Sequence, residues 1–123
     1  GKQGEILEEI LQTIPTAKNA HAILPDQNNQ FVFVPHTGPN AIYQFLWDEK
    51  QGVLKANTPP RLSAAAGLEP RHLAVSQDNR FLYFDNEKGS SVTAYKLNPE
   101  TGTLCRYRTL SVGRLFICLE SRA

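Results

Sequence analysis

Cysteine is scarce. Cys105 and Cys118 are the only two in 123 residues. Neither lies in a CxxC pair or beside a cluster of ligand-type side chains, so the sequence offers no zinc site. Two free thiols suit a reducing compartment. An excess of one charge is also missing: 13 basic residues stand against 12 acidic ones, spread along the chain for a net charge of +1. That balance removes the electrostatic case for nucleic acid or an anionic membrane as partner. No stretch approaches the roughly 18 apolar residues of a membrane span, and no charged segment followed by an apolar run opens the chain. A cytoplasmic location is the expectation. There is no GxSxG elbow, no glycine-rich phosphate loop and no HExxH pair, so a serine hydrolase, a P-loop enzyme and a zincin all lack support. Neither a metal nor an organic cofactor is expected.

What the chain does have is 41% hydrophobic residues, enough for a modest core, and a repeat. Phe31 and Phe81, Val34 and Phe84, Ile42 and Val92, Phe45 and Tyr95, Gly52 and Gly102, and Leu54 and Leu104 are each 50 apart. His21 and His72 are 51 apart, a difference the sequence puts down to the turn PDQNNQF being one residue longer than SQDNRF. Ile14, Leu62 and Leu110 follow one another at 48. Two complete units and the edge of a third are therefore present. A period of this size marks an architecture in which one unit cannot bury its own apolar face.

Within each unit the pattern is strand, turn, strand. AHAIL (residues 20–24), QFVFVP (30–35) and AIYQFLW (41–47) are separated by proline, glycine and asparagine turns. RHLAV (71–75), RFLYF (80–84), SVTAYKL (91–97) and a fourth run from Thr103 to Val112 repeat that order. Residues 5–14, EILEEILQTI, also fit a helical stripe. Their counterparts in the other units carry prolines or β-branched residues and no such stripe, so an outer strand is expected there. Four short antiparallel strands per unit of about 50 residues match a propeller blade. A β-sandwich would not need successive groups of four to repeat. The expected fold is all-β: a propeller fragment over residues 1–112, with two four-stranded antiparallel blades plus the outer strand of a preceding blade. Residues 113–123 match neither unit and read as a divergent tail, truncated or altered in frame.

Positions that differ between the units are candidates for chemistry, because the blade itself does not demand them. On the 51-residue spacing of the histidines Arg71 faces Ala20, and on the 50-residue spacing of the strands Glu87 faces Thr37. Arg71 opens an innermost strand and Glu87 follows the next one. With strands about 4.8 Å apart, both side chains can reach one cavity. A plain ion pair at a blade edge is the alternative. His21 and His72 are matched to one another in the repeat, so each is either a residue of such a cavity or a support of its innermost strand; the base such a cavity needs is His21 or a partly desolvated Glu87. His36 and its counterpart Asn86 either line the same channel or shape turns.

The stretches HAILPDQNNQFVFVPHTGPNAIYQF and GLEPRHLAVSQDNRFLYFDNEKGSSVTAYKLNPETGTL resemble the lactonase family of seven-bladed β-propellers, over roughly residues 4–112. The resemblance implies a lactonase-like hydrolase that opens a sugar-acid lactone such as 6-phosphogluconolactone. A muconate-type cycloisomerase and a non-catalytic binding module are the alternatives. It also implies His21, Arg71 and Glu87 as the catalytic group, with His72, His36 and Asn86 as substrate contacts. Lactone opening needs a base near neutral pH and a cation for the anionic group or the developing oxyanion, and these side chains are of the right types. With two blades of seven the chain alone is expected to be inactive. Its uncovered blade flanks are expected to drive self-association.

Overall fold

Apolar side chains occupy both faces of FVFVP and AIYQFLW, so the strands they form must be covered on both sides. The computed structural model describes residues 9–111. Its strands are β1 (Leu24–Pro25), β2 (Phe31–His36), β3 (Ala41–Asp48), β4 (Val53–Ser63), β5 (Pro70–Val75), β6 (Phe81–Asn86), β7 (Ser91–Leu97) and β8 (Leu104–Ser111). They form two antiparallel four-stranded sheets, ordered β1-β2-β3-β4 and β5-β6-β7-β8. There is no helix among the described residues. The duplicated, all-β architecture expected of two blades is what the chain adopts.

The two sheets pack face to face. Phe31, Phe33 and Ile42 of the first sheet meet Leu82, Phe84, Tyr95, Leu97 and Leu104 of the second, with Leu62, Leu73 and Val75 at the margin. The other face of the first sheet carries Val32, Val34 and Phe45, covered in part by Ile14. The outer face of the second sheet, equivalent in the repeat to the junction face of the first, is open: Tyr83, Tyr107 and Leu110 are 40%, 52% and 50% exposed. Phe31 and Phe81 are thus equivalent in the repeat but differ in their cover.

Polar side chains fix how the sheets meet. The fully buried amide of Gln44 accepts from Leu104 N–H at 2.9 Å and donates to the Pro59 carbonyl at 3.0 Å. Pro59 belongs to a bulge in β4 lying between the pairs Tyr43↔Arg61 and Phe45↔Ala56. The bulge in β8 is two residues shorter, holding only Tyr107 between Ala94↔Arg108 and Tyr95↔Arg106. That difference is why Leu62 and Leu110 are 48 apart while the strands around them keep a spacing of 50. At the first turn, Asp26 accepts from Gln30 and Phe31 N–H at 2.8 and 3.0 Å and from the Asn79 amide of the second sheet at 2.9 Å. Ser76 plays the same part, its hydroxyl accepting from Arg80 and Phe81 N–H at 3.2 and 3.0 Å.

Asp26 and Ser76 are 50 apart, as are Asn29 and Asn79, which both adopt positive φ (55° and 62°). The two turns therefore have equal length, and the extra residue inferred from the 51-residue histidine spacing does not exist. Arg71, not His72, is the counterpart of His21. The innermost strand of the first sheet is also shorter than expected: of residues 20–24 only Leu24 joins β1, with a single bridge from Ala20 to His36 further up. Across both sheets the innermost strand carries one extra residue at this place. Ala20↔His36 is followed by Leu24↔Phe33, and Pro70↔Asn86 by His72↔Asp85. The outer strand expected over residues 5–14 is not formed at residues 9–14, and residues 5–8 lie outside the described residues. In place of a strand backbone, the Gln12 side chain pairs with Leu54, accepting from its N–H and donating to its carbonyl, both at 2.8 Å. The tail over residues 113–123 lies outside the described residues.

Candidate functional site

The bulge in β5 explains why Arg71 can act away from its own sheet. An extra residue in one strand of an antiparallel pair breaks the alternation and re-aims a side chain, and Arg71 is the residue skipped between Pro70↔Asn86 and His72↔Asp85. Its Nε–H donates to Nε2 of His21 at 2.9 Å, across the junction of the two sheets. Equivalent positions of neighbouring blades thus face one another. Because a guanidinium can only donate, His21 Nε2 must be the bare, accepting nitrogen and Nδ1 carries the proton.

His72 stands beside this pair. Its ring meets that of His21 edge-on, with centroids 5.3 Å apart and planes at 78°. It is bound on its other side by Asp85, whose carboxylate accepts from the His72 main-chain N–H at 2.7 Å and from Nδ1 at 3.2 Å. Comparing units points to Asp85 as well: its counterpart 50 residues earlier is Pro35, so the blade does not require a charge there. The sequence reading missed it. Glu87 lies at the same end of the second sheet, its N–H bonded to the Glu69 carbonyl at 2.9 Å. Its side chain is exposed, and among the described residues no ion pair joins it to Arg71. The edge ion pair weighed as the alternative is therefore not formed.

His36 and Asn86, expected as substrate contacts, turn inward instead. His36 is fully buried. Nδ1–H donates to the Val34 carbonyl at 3.0 Å, and Nε2 accepts from the Thr16 hydroxyl at 2.9 Å. Burial lowers its pKa from the ordinary histidine value, against the raising effect of the Val34 bond and with the Arg61 charge adding to the fall. Asn86 spends both amide protons on Ser91 Oγ and Thr93 Oγ1, at 2.9 and 3.0 Å. The period-2 alternation of β2 and β6 puts both residues on the face turned toward the preceding blade, so neither offers a free donor to a solute.

The polar residues brought to one end are therefore His21, Arg71, His72 and Asp85, with Glu87 on the adjoining turn. A groove of about 380 Å³ opens beside His21, lined by Ile14, Thr16, Val34, Phe45 and Leu54 among others. Among the described residues no group of three or more His, Cys, Asp or Glu side chains is arranged to hold a metal ion. No helix there is long and apolar enough to cross a membrane.

A family model described as lactonase, 7-bladed beta-propeller, matches residues 12–114. The 6-phosphogluconolactonase of Erwinia tasmaniensis is 33% identical over 92 residues, which is 75% of this chain and 28% of that protein. That of Pectobacterium carotovorum is 31% identical over 106 residues, 85% of this chain and 31% of its own length. Among solved structures, the periplasmic gluconolactonase of Pseudomonas aeruginosa superposes with a TM-score of 0.69 at 26% identity, over 75% of this chain and 26% of that one. The chain thus spans 28–31% of the length of these two curated relatives.

Proposed function

Because the chain belongs to the lactonase family of seven-bladed β-propellers, we propose that its two blades serve a hydrolase that opens a sugar-acid lactone, with 6-phosphogluconolactone as the substrate suggested by the names of its relatives. The observation that carries this reading is the 2.9 Å bond from Arg71 to His21, which joins a cation and an imidazole across a blade junction. Arg71 is suited to hold an anionic substrate group or the oxyanion that forms at the acyl carbon. An imidazole at this end, that of His21 or of His72 beside it, suits the proton transfer that lets water attack. Glu87, on the neighbouring turn, is a second group able to exchange a proton with substrate. We place the reaction in the cytoplasm because a free thiol such as Cys105 suits a reducing compartment, while the Pseudomonas relative is by its name periplasmic.

Two blades do not close a channel, so the test supplies the others. Residues 12–111 would replace the matching segment of the Erwinia 6-phosphogluconolactonase, and hydrolysis of 6-phosphogluconolactone and of gluconolactone would be followed by proton release. Turnover by the folded chimaera, lost by about 100-fold or more in Arg71→Ala, is the expected result. A folded chimaera that opens neither lactone faster than buffer refutes the reading.

A further inference from the structure

The two histidines at the site are not equivalent in what their nitrogens are free to do. Nε2 of His21 is engaged by the Arg71 Nε–H at 2.9 Å, so its one lone pair is already taken. His72 is held from the other side. A carboxylate offers only acceptors, so its bond to Asp85 Oδ2 at 3.2 Å fixes the proton on Nδ1. The same carboxylate anchors the strand backbone by accepting the His72 N–H at 2.7 Å. This leaves His72 Nε2 as a lone pair that makes no hydrogen bond among the described residues, on a ring half exposed and set edge-on against His21.

From this geometry we infer that His72, oriented by Asp85, is the base of the site, and that His21 is a positioning residue that holds Arg71. The inference rests on the lactonase reading above. In the step it assigns, His72 Nε2 takes a proton from water as the water oxygen bonds to the acyl carbon. The ring C–O bond then breaks, and the same proton passes to the departing hydroxyl. Arg71 carries the negative charge meanwhile. Asp85 acts through His72, by fixing its tautomer. The carboxylate comes from β6 and the imidazole from β5, and the bulge at Arg71 sets the register that brings them opposite one another.

The test has two arms. In the first, imidazole ¹⁵N shifts of the chain itself report which nitrogen of His72 is protonated, with no need of turnover. The neutral ring is expected to be wholly the Nδ1–H form, becoming a mixture in Asp85→Asn while the thermal midpoint is unchanged. A mixed tautomer in the unsubstituted chain, or no change in Asp85→Asn, overturns the role given to Asp85. In the second arm, the chimaera is assayed on 6-phosphogluconolactone. His72→Gln should lower kcat by about 100-fold or more with KM nearly constant, and Asp85→Asn should lower it less and in the same manner. His21→Gln should raise KM and lower kcat less than His72→Gln does, because it frees Arg71 from its seat without removing the base. A kcat loss confined to His21→Gln overturns the assignment in favour of His21. Absence of turnover in the unsubstituted chimaera refutes the lactone reading and the base with it, while the ¹⁵N arm still decides whether Asp85 sets the tautomer.

Discussion

Gly52 and Gly102 stand at equivalent turns, and alanine at the two should cost different amounts. Gly52 has φ of 67° and donates its N–H to the Asp48 carbonyl at 2.7 Å; Gly102 has φ of 74° and donates to that of Asn98 at 2.8 Å. Placing a side chain in that left-handed region costs about 1–2 kcal/mol at either site. The surroundings separate them. Nothing lies within 4 Å of a Cβ built at Gly52, whereas a Cβ at Gly102 would overlap the Phe31 ring. That ring is 7% exposed and packed in the core between the sheets, so it has little room to withdraw. Overpacking of this kind adds about 1–3 kcal/mol. Gly52→Ala should therefore cost about 1–2 kcal/mol and Gly102→Ala about 2–5. For a chain of this size each kcal/mol moves Tm by about 4 °C, so the Gly102 variant should melt at least about 4 °C below the Gly52 variant. Thermal unfolding by circular dichroism, repeated at several concentrations, measures this. Truncating Phe31 should cost less in the Gly102→Ala background than alone, because the clash goes with the ring. Equal melting of the two glycine variants, or strict additivity with Phe31→Ala, would refute the packing argument.

Asp26→Ala strips three acceptor bonds from a buried turn and should cost about 3 kcal/mol in urea unfolding, whereas Asp26→Ser, which copies Ser76, should recover more than half of that. Equal losses in both would show that the turn does not depend on the bonds to Gln30 and Phe31. His36 is buried neutral with a lowered pKa, so the unfolded chain takes up its proton first, near pH 6.5. Its contribution is fully present above that pH and declines as pH falls toward the folded-state value, by at most about 1.4 kcal/mol per pH unit. His36→Asn, which copies Asn86, should flatten urea midpoints below pH 6.5, and an unchanged slope would count against a buried neutral ring. Finally, the open flank bearing Tyr83, Tyr107 and Leu110 should make sedimentation of the chain concentration-dependent, and Tyr83→Lys with Leu110→Lys should suppress this. A monodisperse monomer before substitution would contradict it.

The blade order was legible because the strands obey a period that sterics impose. Phe31 with Phe81 and Gly52 with Gly102 recur because one lattice of pairs and turns is used twice. What misled the sequence reading was the histidine. Matching His21 to His72 by residue type required an extra residue in a turn, but the turn is held by Asp26 in one unit and Ser76 in the other, chemically different groups that accept the same two N–H bonds. Function of a side-chain oxygen was conserved between the units where identity was not, and a comparison by identity cannot see that. The inward turn of His36 was hidden for a related reason. VPHTG reads as a turn, yet the strand continues through His36 and its alternation points the ring at Thr16. Residues 9–14 form no strand because they meet β4 through side chains, the Gln12 amide bonded to Leu54 and Ile14 packed in the same cluster as Leu54, and not through a ladder of main-chain bonds.

These placements tie the chemistry to the packing. The bond from Arg71 to His21 crosses the junction between sheets, so its length depends on how the sheets sit and not on either blade alone. β2 runs from Phe31, near the Gly102 contact, to His36, which bridges Ala20 beside His21. Six residues of strand span about 17 Å. Over that lever a tilt of about 3° at the Phe31 end moves the His21 end by about 1 Å, and a hydrogen bond of 2.9 Å does not survive such a displacement. The buried Gln44 amide and the Asp26 to Asn79 bond resist that tilt along the same junction. They are part of the site's precision although none of them lies in it. A propeller that varies its substrate can therefore change the residues at the bulge freely only while the turn and core contacts that fix the blade angle are kept.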